Sequence, residues 1–78
     1  MKEVREFVAD VNVRKRDVNG NTYHDVVLYD KHGDKVAEKI KVYGYGTQYQ
    51  QTIREMVEEI TGQPKTWQDI AKTVLILT

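Results

Sequence analysis

The sequence changes its hydrophobic period once. Before Tyr43 apolar and polar residues alternate in twos, as in half-buried strands, and from Tyr49 apolar residues recur at helical spacing. The stretch between, Tyr43-Gly44-Tyr45-Gly46-Thr47-Gln48-Tyr49, is therefore read as a hinge between sheet and helix. Gly44 and Gly46 lack a Cβ, so the backbone there can take positive φ or approach other groups closely, which ends the last strand. Thr47 followed by Gln50 fits a capping box, so a helix is expected from about Gln48. Tyr43, Tyr45 and Tyr49 crowd the hinge with apolar rings and polar tips, which suits a packed corner as well as a binding site.

Three strands precede the hinge. From Arg5 to Val13 the odd positions place Phe7, Ala9, Val11 and Val13 toward a core. Arg14-Lys15-Arg16 puts charge at the strand end, and Asn19-Gly20-Asn21 supplies residues for a tight reversal. Thr22 to Asp30 is the return strand, with His24, Val26 and Leu28 on one face and Tyr23, Asp25, Val27 and Tyr29 on the other. Lys31-His32-Gly33-Asp34 closes a second turn before Lys35 to Tyr43, where Val36, Ile40 and Val42 are expected to face inward and Lys39, Lys41 and Tyr43 outward. Glu38 interrupts that apolar row, which points to a frayed strand start or a nearby bulge.

After the hinge, Tyr49, Ile53, Met56, Val57 and Ile60 form the apolar stripe of an amphipathic helix that ends near Thr61, before Gly62 and Pro64. Thr66-Trp67-Gln68-Asp69 resembles a second capping box, giving one or two turns through about Ala71 anchored by Trp67 and Ile70. Thr73 to Leu77 is a last strand, apolar on both faces and so expected to be covered on both. A crossover through the helix would run it parallel to the third strand and to the first. The reading is one α+β domain over residues 1–78: β-β-β-α-β, a three-strand antiparallel meander extended to a mixed sheet with one helical face.

Seventy-eight residues bury only about 60% of their unfolded surface, so a compact core or a partner is needed and self-association is an option. The chain has no Cys and nothing like a signal peptide, so a cytoplasmic protein is expected. Twelve basic residues balance twelve acidic ones, which gives no general attraction to phosphate backbones or anionic membranes. The absence of both Ser and Cys removes the usual covalent nucleophiles, and no phosphate-binding loop or dinucleotide fingerprint is present. Asp30, His32 and Asp34 alternate around the second turn but are better read as solvated turn residues than as metal ligands. His24 is more readily a structural histidine than a general base. No enzyme activity, cofactor or metal is expected.

The segments Gly20-Asn21-Thr22-Tyr23-His24 and Tyr43-Gly44-Tyr45-Gly46-Thr47-Gln48-Tyr49, with Thr52 one turn on, resemble small uncharacterised proteins encoded by phages and prophages. The likeness covers roughly the middle third of the chain, and Thr47 stands where an acidic cap is expected, although both residue types can cap a helix. It implies a phage-like origin, a location in the host cytoplasm and no enzyme activity.

Two functional classes follow. A protein-binding module, either a phage accessory factor or a self-associating chain, would use Tyr23, Tyr29, Lys39, Lys41 and Tyr43 on the sheet face opposite the helix, with Tyr45 and Tyr49 at the hinge and Gly44, Gly46 and Thr47 shaping it. A single-stranded nucleic-acid binder would stack bases on Tyr23, Tyr29 and Tyr43 and track phosphates with Arg14, Lys15, Arg16, Lys39 and Lys41. Nine basic against eight acidic residues in the first 46 weigh against the second class.

Overall fold

A computed structural model describes residues 5–78. Strands β1 (Phe7–Arg16), β2 (Thr22–Asp30) and β3 (Lys35–Tyr43) form the meander, helices α1 (Gln48–Thr61) and α2 (Trp67–Thr73) follow, and β4 (Val74–Leu77) ends the sheet. The strand order is β3-β2-β1-β4, with β4 parallel to β1 and the other pairs antiparallel. This is the α+β mixed sheet that the two periods imply.

The core lies between the sheet and the helices. Ala9 and Val11 of β1, Val26 and Leu28 of β2, Val74 of β4, Ile53, Met56 and Val57 of α1 and Ile70 of α2 are all buried. Phe7, Val13, Tyr49, Trp67 and Ile76 pack against them from the margin. Ile60 departs from expectation: it shares the face of Ile53, Met56 and Val57 but is 42% exposed, one turn beyond the last buried residue of α1. Thr52 is buried instead.

Strand β3 departs further. Lys39 pairs with Val26 and Val42 with His24, so Ile40 and Lys41 together oppose one residue of β2. This is a β-bulge, and Lys41 adopts a φ of 55°, unusual outside glycine. The extra residue shifts the alternation. Ala37 and Lys39 turn toward the helices, while Val36 and Ile40, expected inside, are 39% and 64% exposed on the opposite face. Glu38 lies between this bulge and a second irregularity near Val36, exposed and 3.5 Å from Lys35.

The two capping sites also differ from each other. Thr47 occupies the N-cap of α1 but its side chain makes no capping bond, since its backbone sits at φ −91° and ψ 16° rather than in the extended region from which a hydroxyl reaches the next turn. Backbone bonds from Gln48 N–H to Tyr45 O and from Gln50 N–H to Thr47 O enter the helix instead. At α2 both halves of the capping box form, Thr66 Oγ1 accepting from Asp69 N–H and the Asp69 carboxylate accepting from Thr66 N–H. That helix runs to Thr73, two residues beyond the expected Ala71, and β4 starts at Val74 rather than Thr73.

Both roles anticipated for the hinge glycines occur, one at each. Gly46 has φ 56°, whereas a Cβ on Gly44 would lie 2.4 Å from Gln48 Cγ. Among the described residues helices cover one side of the sheet, so β4 is covered on one face: Val74 is buried, while Leu75 and Leu77 are 43% and 49% exposed.

Candidate protein-binding face

The face away from the helices is assembled by register. Across β2, β1 and β4 one row reads Tyr29, Val8, Leu75, and the next, beginning on β3, reads Glu38, Val27, Asp10, Leu77. Toward the far end Tyr43, Tyr23 and Lys15 align. A second bulge in β1, where Val13 and Arg14 oppose His24, brings Lys15 into that last row.

The aromatic end is held by a network. The Tyr23 and Tyr43 rings meet edge to face with centroids 5.8 Å apart, and Lys41 Nζ lies 5.9 Å from the Tyr23 centroid, within cation–π range. Tyr43 donates its hydroxyl hydrogen to Asp17 Oδ2 at 3.0 Å. The other Asp17 oxygen accepts from Asn19 and Asn21 N–H, both at 2.9 Å, so one carboxylate closes the β1–β2 turn and fixes a tyrosine of β3. Backbone donation from Asn21 is the main reason the Asp17 carboxyl titrates below its usual range. The Tyr43 phenol is pushed up by its bond to Asp17.

Asp25 organises the bulge. Its Oδ1 accepts from Lys41 N–H at 2.7 Å and its Oδ2 meets Lys15 Nζ at 2.7 Å. The bond from Lys15, then that from Lys41, lowers the Asp25 pKa, and Asp25 raises that of Lys15. A carboxylate inside a strand thus satisfies the backbone donor that the irregularity frees.

The candidate residues fall into three places. Tyr23, Tyr29, Lys41 and Tyr43 share the open face, with the Tyr43 ring 51% exposed. Tyr45 projects from the hinge at 78% exposure, while Tyr49 packs against the core. Lys39 does not belong to the face, because the bulge turns it toward α1, where Nζ lies 3.4 Å from Glu59 Oε1. Gly44 and Gly46, with Tyr23, His24 and Tyr49, line a cavity of about 260 Å³ behind the hinge. His24 also bonds the buried Thr52 of α1, Nε2 to Oγ1 at 2.9 Å, and burial lowers its pKa, which favours the neutral ring.

Val36, Ile40, Leu75 and Leu77 are exposed apolar residues that the simple alternation and the expected two-sided cover of β4 had placed inside. Asp25 was readable as an outward residue of β2, but its bond to Lys41 depends on a bulge without a glycine to announce it. The Asp30 carboxylate accepts from His32 and Asp34 N–H at 2.8 and 3.0 Å and so serves its turn, and among the described residues no cluster of potential metal ligands is found. No helix among them is long and apolar enough to cross a membrane. Compared with protein-family models, curated proteins and solved structures, the chain has no significant match.

Proposed function

We propose that this chain is a non-enzymatic protein-binding module that offers the uncovered face of its sheet, and Tyr45 beside it, to a protein partner. The observation that carries the reading is the one-sided cover of the sheet, which leaves Ile40, Leu75, Leu77 and Tyr43 at 64%, 43%, 49% and 51% exposure on a single layer. Tyr43 is held by Asp17, so its ring is presented with little rotamer freedom left to lose on binding. Asp10, Asp25 and Glu38 interleave with Lys15 and Lys41 on this face, a mixed pattern that suits a protein rim better than a phosphate backbone. The resemblance to phage-encoded proteins extends the proposal to an accessory factor acting on a host or viral protein.

Affinity capture from the native host, with and without nuclease, followed by titration of the purified partner, tests this. A partner retained after nuclease and bound at least tenfold more weakly by Tyr43→Ala or Ile40→Asp supports it, tenfold being about 1.4 kcal/mol. Capture abolished by nuclease would instead favour single-stranded nucleic acid.

A further inference from the structure

The two edges of the sheet are built differently. Along β3 the edge carries Lys35, Glu38, Lys39 and Lys41 and is broken by the bulge at Ile40 and Lys41, features that discourage another strand from pairing. Along β4 the edge reads Val74-Leu75-Ile76-Leu77, with no charge, proline or bulge, in unbroken register with β1. Among the described residues no strand lies beyond it.

Hydrogen bonding narrows the open edge to one residue. Glu6 N–H donates to Thr73 O at 2.9 Å, and the alternation of a parallel ladder then directs the backbone groups of Leu75 and Leu77 toward β1 and those of Val74 and Ile76 outward. Val74 is already engaged, its N–H with Ile70 O and its carbonyl with Arg5 Nη1 at 3.1 Å. The N–H and C=O of Ile76 remain directed at the edge.

We propose that two copies of this chain pair antiparallel along β4 about a two-fold axis at Ile76, joining two four-stranded sheets into one of eight. This rests on the reading of the chain as a protein-binding module and names the second copy as an occupant. The symmetric arrangement uses both free groups of Ile76, each copy donating to and accepting from the other. It sets Leu75 beside the second copy's Leu77, so four leucines form one apolar strip on the open face. Because β4 carries no charge, the two-fold opposes no like charges within the strand. A contact of four residues per copy is small against a standard interface of about 1,600 Å², which places the dimer in the weak, reversible class.

Sedimentation of the full chain from micromolar to millimolar concentration should show a reversible rise from 9.1 kDa toward twice that mass. Leu75→Lys, at an exposed position, should weaken the association about tenfold or more. The chain has no cysteine, so single substitutions report register cleanly. Under mild oxidation Ile76→Cys should cross-link to itself, since paired Cα atoms about 5.5 Å apart suit a disulfide, while Ile40→Cys on β3 should not. A wild-type chain monomeric at millimolar concentration, a dimer unaffected by Leu75→Lys, or equal cross-linking at both positions would overturn the proposal. If the chain stays monomeric while Tyr43→Ala still releases a partner, edge pairing falls and the module reading stands.

Discussion

Tyr43 and Asp17 lie 26 residues apart in sequence and are joined by a 3.0 Å hydrogen bond from the phenol to the carboxylate. The same carboxylate holds the β1–β2 turn through Asn19 and Asn21. Asp17→Ala should therefore loosen the turn and free the Tyr43 ring together, seen as averaging of the Tyr43 ring signals by NMR. The pH dependence has a definite sign. The lowered Asp17 pKa contributes stability that is present above the unfolded carboxyl pKa of about 3.9 and is lost as pH falls through the folded value. The raised Tyr43 pKa contributes stability present below the unfolded value of about 10 and lost as pH rises through the folded one.

The two helix starts should respond unequally to threonine removal. Thr66→Ala deletes a formed capping bond and should cost about 0.5 to 2 kcal/mol. Thr47→Ala deletes none and should leave the unfolding free energy within about 0.5 kcal/mol of wild type. Equal losses in a denaturant titration would show that Thr47 caps α1 in solution.

Buried and exposed positions of one helical stripe give a second contrast. Ile53, fully buried, should cost about 2 to 5 kcal/mol as Ile53→Ala, enough to unfold much of so small a domain. Ile60→Ala, at 42% exposure, should cost well under half as much. A thermal melt insensitive to Ile53→Ala would place the wrong side of α1 against the sheet.

His24 and Thr52 form a buried polar pair between β2 and α1. Thr52→Val leaves an imidazole nitrogen without its partner and should cost about 1 to 3 kcal/mol. Burial lowers the folded His24 pKa, so its contribution is complete above about pH 6.5 and declines as pH falls through the folded value. A flat stability profile between pH 7 and 4.5 in the His24→Gln variant relative to wild type, with no difference in slope, would contradict the assignment.

Most element boundaries were legible because their causes are local, although β1, read as Arg5 to Val13, spans Phe7–Arg16, and α2 and β4 meet at Thr73 and Val74, later than read. Gly62, at φ 71°, stops α1 where the sequence places a stop, and β2 and β3 begin and end between their turn residues as read. The orientation of β3 was not legible beyond Glu38, since the bulge at Lys41 is stabilised by Asp25 from the neighbouring strand. For the same reason Lys39 was placed on the wrong face, and Val36 and Ile40 were missed as exposed residues. Tyr23 and Tyr43 were grouped correctly because they sit on the far side of the bulge from its displaced residues, and the register pairs them directly. The fixation of Tyr43 by Asp17 depends on bringing the β1–β2 turn beside the end of β3, which no spacing in the sequence encodes.

The bulge in β3 means that this strand is written in two frames with one surplus letter between them. Deleting Lys41 would merge the frames and leave Ile40 facing out, Val42 in and Tyr43 out, at the loss of a backbone donor to Asp25. Deleting Val26 from the stretch of β2 between Asp25 and Asp30, which pairs with β1 without a shift, would instead exchange the inward and outward sets on one side of the cut. Length variation among chains of this design should therefore be tolerated at residues 40–41 and excluded from the middle of β2.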